Sequence, residues 1–315
     1  MWNSLPSRLV VTALCAAALG ACGDITVPET PSPALNAAQA PEATNLQFGD
    51  FALHIPANVH HVRGIVLALG GPDTRGFAVG TSFRAPPLVE PLLQDLGARF
   101  RELAAERGLA ILGAGRFGPT AYPNVPASDL ALLAALEQAA VLTGRSELRD
   151  APILLYGLSG GGPEASGFLQ RNPERVAGLF LKVPSVVASL SGEALSVPAY
   201  MVLAELDVVV NNPMLRASFA SLRSAGAPWA MAVEPGVPHN SLSLAQRELT
   251  VDWMRAVLPL GHAGPFRQTS PQVGFLGDPA NGQVAPSHAF TGDLAASSWF
   301  PKRPLATQWS AFIGR

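Results

Sequence analysis

A serine lies between glycines at positions 157–161, where the sequence reads Gly-Leu-Ser-Gly-Gly. The apolar run before it predicts a buried strand, and the residues after it predict a helix from about 162 to 172. A serine in the sharp turn between such a strand and helix presents its hydroxyl outward. Gly157 and Gly161 leave the room that strand and helix need where they pass close together. We therefore predict that Ser159 is a nucleophile.

This G-x-S-x-G pattern between a strand and a helix resembles the nucleophile elbow of the α/β-hydrolase superfamily. The segment PERVAGLFL, residues 173–181, is similar to the helix-to-strand connection that follows that elbow. The resemblance covers about residues 46–258. It implies a doubly wound, mostly parallel sheet flanked by helices, with an acidic residue and then a histidine later in the chain.

An acidic residue and a histidine follow the serine in that order. Asp207 ends an apolar strand, and His239 lies in a Gly/Pro loop before a long predicted helix. A serine hydroxyl attacks a carbonyl only when a neutral imidazole takes its proton, and a carboxylate orients that imidazole. We predict a triad of Ser159, Asp207 and His239, with Glu205 as the nearest rival acid. The alternatives are a hydrogen-bonded loop histidine and an aspartate that caps a helix.

The oxyanion that forms during attack requires backbone donors. The N–H of Gly160, directly after the serine, is the first. The second is predicted in the loop after the strand GIVLALGG, which resembles the H-G-x turn of the superfamily with leucine in place of histidine. Pro72 has no N–H, so Gly71 is the predicted donor and Gly70 the reserve.

A second glycine pattern, Gly113 to Gly118, matches the G-x-G-x-x-G of dinucleotide-binding loops. Such a loop must open a helix whose N-terminus faces the pyrophosphate, yet Pro119, Pro123 and Pro126 follow. The triglycine that begins at Gly160 lacks the lysine of a phosphate-binding loop. We expect no cofactor.

The other histidines show no metal-binding pattern. His60 and His61 are adjacent and would point to opposite faces of a strand. His54, His262 and His288 have no ligand partner at a recognisable spacing. We expect no metal ion.

The N-terminus resembles a bacterial lipoprotein signal. Arg8 precedes a short apolar run that ends in Leu-Gly-Ala-Cys at Cys22. We expect residues 1–21 to be removed, Cys22 to be lipidated, and residues 22–45, rich in Pro and Ala, to form a linker. The alternative is an ordinary secretory signal cut near Ala21. Gly23 does not resemble the aspartate that retains lipoproteins in the inner membrane, so we expect anchoring in the outer membrane.

Strands alternating with helices predict an α/β catalytic domain over residues 46–260. Residues 47–56 are predicted to form one strand. Residues 261–315 are predicted to be an extension packed on this domain, with a hairpin turn at Asn281-Gly282 and a terminal helix. The formal charge of −2 gives no indication of nucleic-acid binding.

Few residues separate the strands that end near Ser185 and begin near Val197, where many superfamily members insert a helical cap. An open site in an exported, membrane-anchored protein favours a serine hydrolase acting on a carboxylic ester, either a small molecule or part of a polymer or lipid. The alternatives are a serine peptidase of the same fold and a noncatalytic surface lipoprotein that binds a ligand.

Overall fold

The computed structural model describes residues 42–70, 73–115, 126–258 and 273–314. The predicted signal segment, Cys22 and most of the predicted linker lie outside these residues. So do Gly71, Pro72 and the second half of the Gly113 to Gly118 pattern. Among the described helices, none combines the length and the apolar character needed to cross a membrane.

The main sheet has eight strands: β1 (Thr44–Phe48), β2 (Phe51–Ile55), β3 (Gly64–Gly70), β4 (Leu109–Ala114), β5 (Ile153–Leu158), β6 (Val176–Lys182), β7 (Ala199–Ala204) and β8 (Trp229–Glu234). Their spatial order is β1-β2-β4-β3-β5-β6-β7-β8. The strands from β3 to β8 pair in parallel, whereas β2 pairs antiparallel with both β1 and β4. The predicted mostly parallel sheet is confirmed.

The described residues also form seven α-helices: α1 (Arg75–Val79), α2 (Glu90–Arg107), α3 (Pro126–Thr143), α4 (Gly161–Arg171), α5 (Asn212–Ser224), α6 (Leu244–Val257) and α7 (Arg303–Ile313). The parallel strands are buried along almost their whole length. Two apolar clusters, one on each face, enclose the sheet. This arrangement explains why these strands read as continuous apolar runs in the sequence.

The prediction of one strand over residues 47–56 is wrong. Strand β1 ends at Phe48 and strand β2 begins at Phe51, and the two strands pair antiparallel. Gly49 has a φ of +52°, a left-handed conformation that glycine adopts without steric cost and that allows a tight hairpin turn. The Gly-Asp pair within the apolar run was the overlooked turn signal.

The described part of the C-terminal extension packs on the edge of the main sheet. Strands β9 (Phe275–Gly277), β10 (Val284–Pro286) and β11 (Ser298–Phe300) form a small antiparallel sheet. Gly282, with a φ of +70°, lies in the β9–β10 turn. The indole of Trp309 on α7 is fully buried and donates from Nε1 to the carbonyl of Met231 on β8 at 2.7 Å. Trp309 therefore belongs to the core.

Strand order brings the chemically interesting loops to one edge. The carboxyl ends of parallel strands lie at the same edge of a sheet, and β5, β6, β7 and β8 are consecutive neighbours. The loops after β5, β7 and β8 contain Ser159, Asp207 and His239. The topology thus collects three residues that are far apart in the chain.

Candidate active site

Ser159 occupies a strained turn between β5 and α4. Its φ is +51°, a left-handed conformation that residues other than glycine adopt at a cost of about 1–2 kcal/mol. Its backbone N–H donates to the carbonyl of Lys182 at 2.8 Å, and its own carbonyl accepts from the N–H groups of Gly162 at 3.0 Å and Ser185 at 3.1 Å. These bonds hold the hydroxyl at the carboxyl edge of the sheet.

The flanking glycines provide space. A Cβ on Gly157 would lie 2.9 Å from Cδ2 of Leu181 and 3.1 Å from Cβ of Ala165. A Cβ on Gly161 would overlap the backbone of Leu69 and lie 2.6 Å from the nitrogen of Gly70. Neither glycine has a positive φ. Close packing of α4 against the sheet therefore accounts for both.

Ser159, His239 and Asp207 are joined by two hydrogen bonds. The Oγ of Ser159 lies 2.9 Å from Nε2 of His239, and Nδ1 of His239 lies 2.7 Å from Oδ2 of Asp207. Because an ionised carboxylate only accepts, Nδ1 carries the proton and Nε2 is left to accept from the serine hydroxyl. This is the arrangement in which imidazole removes the serine proton.

Backbone pairing continues beyond the ends of β7 and β8 and brings their loops together. The N–H of Leu206 donates to the carbonyl of Val237 at 2.9 Å, one residue before Asp207 and two before His239. The carboxylate of the rival acid Glu205 is used elsewhere, since its Oε2 accepts from the N–H of Gly236 at 2.7 Å. Asp207 is the acid that contacts the histidine.

The Asp207 side chain is fully buried, and burial alone would raise its pKa. The hydrogen bonds to the carboxylate together lower the pKa by more than burial raises it. His239 donates to the carboxylate, and so do the backbone N–H groups of Val209 at 2.8 Å and Val210 at 3.1 Å. The pKa of Asp207 consequently lies below its ordinary value, and the ionised form is the one that orients the imidazole.

The proposed oxyanion donors are only partly within the described residues. Gly160 is the residue before the first turn of α4, and its N–H has no acceptor in the described part of the chain. Gly70, the reserve donor, ends β3 and pairs in register with Leu158, next to the serine. Gly71 lies outside the described residues. The N–H of Gly160 and the edge of β3 therefore approach the same place.

Gly113, the first glycine of the other pattern, has a packing explanation. A Cβ on Gly113 would overlap the carbonyl of Thr74, whose hydroxyl donates to the carbonyls of Ala68 at 2.6 Å and Ala114 at 2.8 Å. Gly113 lacks a side chain because the loop after β3 crosses β4 at that point.

Within the described ranges there is no group of three or more His, Cys, Asp or Glu side chains that could bind a metal ion.

A cavity of about 230 Å³ opens beside the serine. Its apolar wall consists of Ala85, Pro86, Val89, Leu93, Leu158 and Leu242. Ser159 and His239 line one part of it, and Arg84 adds a cation. The segment 183–198, between β6 and β7, contains one short 3-10 turn and no α-helix, so it forms no helical cap.

Sequence reasoning missed several charged residues near this edge. Lys182 and Glu234, at the carboxyl ends of β6 and β8, are both buried, with 3.7 Å between Nζ and Oε2. Burial lowers the pKa of Lys182 to about 8 even though Glu234 and Asp207 oppose that shift. Glu164, in the first turn of α4, has its pKa raised by burial to about 7. For these residues, the only signal in the sequence was the presence of a charged residue within or next to an apolar run.

No protein-family profile and no curated protein sequence matches the chain. Solved structures do resemble it. Esterase PE8 is 18% identical, with 69% of this chain and 100% of that chain covered and a TM-score of 0.45. A predicted CIB-like hydrolase from Thermoplasma acidophilum is 15% identical, with 68% and 97% covered and a TM-score of 0.44.

A carboxylesterase from Mesorhizobium loti is 18% identical, with 68% of this chain and 99% of that chain covered and a TM-score of 0.46. At these identities and TM-scores, the likeness adds nothing to what the strand order and the side chains of this chain show themselves.

Proposed function

We propose that this chain, which has the α/β-hydrolase fold, is a serine hydrolase that cleaves carboxylic esters through an acyl-serine intermediate. The observation that carries the proposal is the continuous hydrogen-bonded chain from Ser159 through His239 to Asp207, at 2.9 and 2.7 Å. It supplies a nucleophile, a base and an orienting acid within reach of one cavity.

In the first half-reaction, the Oγ of Ser159 attacks the ester carbonyl carbon while its proton passes to Nε2 of His239. Negative charge moves to the carbonyl oxygen, which the N–H of Gly160 faces at the start of α4. Collapse of this tetrahedral species breaks the carbon–oxygen bond to the alcohol. His239 returns the proton to the leaving oxygen, and Asp207 stabilises the imidazolium in between.

In the second half-reaction, water attacks the acyl-serine carbonyl, and His239 removes a proton from that water. The second tetrahedral species expels Oγ, which takes back that proton, and the carboxylic acid leaves. Ser159 is only partly buried, and the segment 183–198 contributes no helical cap that would exclude water or a substrate that extends beyond the cavity. Small esters and the ester groups of a polymer or lipid both fit this requirement.

Covalent labelling tests the nucleophile. The purified protein is treated with a fluorophosphonate, and the modified peptide is identified by mass spectrometry. We expect one label on Ser159, and none on the Ser159→Ala variant or on protein unfolded in urea. Labelling that persists in Ser159→Ala would show that another residue is the nucleophile.

Matched substrates separate esterase from peptidase activity. An ester and an amide with the same acyl group are compared by kcat/KM, with Ser159→Ala as the control. We expect turnover of the ester that the variant loses. Preferential cleavage of the amide would indicate a peptidase, and labelling without turnover of either would remove the esterase proposal.

We further propose that the protein is exported and anchored in the outer membrane by a lipid on Cys22, which the Leu-Gly-Ala-Cys sequence supports. Growth of a producing bacterium with radioactive palmitate should label the protein, and Cys22→Ser should abolish the label. Label retained by Cys22→Ser would contradict the anchor. Unlabelled protein cut near Ala21 would support the ordinary secretory signal.

A further inference from the structure

The cavity beside Ser159 combines an apolar wall with the polar residues Asn240 and Ser241 and with one arginine. Arg84 lines it together with Ser159 and His239. The other lining side chains from its own segment, Ala85 and Pro86, are apolar. Because Arg84 and Ser159 line the same cavity of about 230 Å³, an ester held at Ser159 can carry a group that contacts Arg84 within that cavity.

The backbone of Arg84 is held in an unfavourable conformation. Its φ is +51°, which a residue with a long side chain rarely adopts unless its surroundings impose it. Glu90, at the start of α2, imposes it: its Oε1 accepts from the N–H of Phe83 at 2.9 Å and its Oε2 from the N–H of Ala85 at 3.2 Å. One carboxylate thus accepts hydrogen bonds from the backbone N–H groups of the residues on both sides of Arg84.

Two more bonds fix this segment. The N–H of Arg84 donates to the hydroxyl of Ser82 at 3.0 Å, and the carbonyl of Phe83 accepts from the N–H of Asp73 at 3.1 Å. Asp73 lies in the loop after β3, two positions along the chain from Gly71, the predicted oxyanion donor. The backbone at Arg84 is therefore tied to the loop that follows β3.

Arg84 is exposed, and its charge acts on the nearby carboxylate of Asp73 without a hydrogen bond to it. That carboxylate already accepts from Nε of Arg75 at 2.9 and 3.1 Å and from Nη2 at 2.5 Å. Both carboxylate oxygens of Glu90 face backbone donors. An exposed arginine fork that lines the cavity is suited to a planar carboxylate.

We propose that Arg84 is a specificity-determining residue that binds a carboxylate carried by the ester substrate. This inference rests on the proposed esterase function and narrows its substrate class to anionic esters with a short carbon chain between the carboxylate and the scissile bond. The apolar wall contacts that chain, and the guanidinium contacts its charged end.

Paired esters test the inference. Monomethyl glutarate carries the carboxylate on the acyl side and is compared with neutral methyl hexanoate; acetoxyacetate carries it on the alcohol side and is compared with ethyl acetate. For Arg84→Gln we expect kcat/KM to fall by about tenfold to a hundredfold on at least one anionic ester, the range for hydrogen bonds to charged groups, with the neutral partner unchanged. Arg84→Lys should retain part of the preference.

The matched control is Arg216→Gln, which removes the same charge from an exposed position on α5. It should leave all four esters unaffected. Equal losses on anionic and neutral esters in Arg84→Gln, or no loss on either anionic ester, would overturn the inference while the proposed function stands.

Binding provides a readout that does not depend on turnover. Titration calorimetry compares free glutarate binding to Ser159→Ala and to Ser159→Ala with Arg84→Gln. We expect weaker binding to the double variant, and equal binding would overturn the inference. If no ester is hydrolysed by the unmodified protein, the proposed function fails and the glutarate comparison alone decides the role of Arg84.

Discussion

The backbone N–H of Ser159 donates to the carbonyl of Lys182 at 2.8 Å, so the nucleophile is fixed to the end of the neighbouring strand β6. This bond holds Ser159 at a φ of +51°. The same strand end carries a buried ammonium that pairs with Glu234. The strained turn at Ser159 and the buried Lys182–Glu234 pair are therefore connected through the end of β6.

The strain at Ser159 predicts a difference between two inactive variants. Glycine accepts a positive φ without steric cost, whereas alanine does not, although glycine loses more chain entropy on folding. We expect Ser159→Gly to be more stable than Ser159→Ala by up to about 1 kcal/mol. Urea unfolding curves measure this difference. A less stable glycine variant would contradict the strained conformation.

Asp207 and Glu205 provide a matched pair for the acid. Asp207→Asn should lower kcat on the best ester by about 10⁴-fold, because the amide no longer holds His239 in the tautomer that accepts from serine. Glu205→Gln still accepts from Gly236 and should retain nearly full activity. Steady-state kinetics on both variants test the assignment. The opposite pattern would make Glu205 the acid.

Gly161 and Gly97 differ in the space around a new Cβ. Gly161→Ala would force a methyl into the backbone of β3 and should cost about 3 kcal/mol or more, with loss of activity. Gly97 lies inside α2, where a new Cβ would make ordinary contacts at 3.4 Å. Gly97→Ala should be neutral or stabilising by up to about 1 kcal/mol. Denaturant unfolding measures the change in free energy of unfolding for each variant. Equal losses of stability in the two variants would contradict the prediction.

The buried pair Lys182 and Glu234 should couple strongly. Glu234→Gln leaves a buried ammonium without its counter-charge and should cost about 3–5 kcal/mol, whereas replacing both residues by methionine should cost little or even stabilise the fold. A double-mutant cycle in urea, with Lys182→Met and Glu234→Met as single variants, measures the coupling. Additive losses would show that the two side chains act independently.

Glu164 should make stability depend on pH. Its pKa in the folded protein, about 7, lies above the ordinary value of 4.5, so the folded state binds more protons between these two values. The stabilisation by the protonated form is complete below pH 4.5 and is lost as the pH rises through 7. Glu164→Gln should remove this part of the slope and raise stability at pH 8 by about 1–2 kcal/mol, a range reduced for partial solvent exposure.

Urea unfolding at pH 5 and pH 8 provides the measurement for Glu164. The relevant quantity is the change in free energy of unfolding between the two pH values, compared between Glu164→Gln and the unmodified protein. Identical changes in the two proteins would show that Glu164 ionises normally in the folded state.

The sequence was sufficient to place the residues that depend on local pattern. Ser159 stood out because a buried strand, a glycine-flanked turn and a helix follow one another within a short stretch. Asp207 and His239 were predicted from their order and from their positions after apolar strands. Each of these signals reflects backbone geometry that neighbouring residues impose, and such geometry is written in consecutive positions of the chain.

Only the tertiary structure decided which groups meet. It assigned the carboxylate of Glu205 to Gly236, explained Gly113 by the crossing of Thr74, and brought Lys182 to Glu234. Arg84 gave no sequence signal, because its conformation depends on Glu90 and its place in the cavity depends on a loop from another part of the fold. Packing between distant segments sets these relations, and no spacing along the chain encodes them.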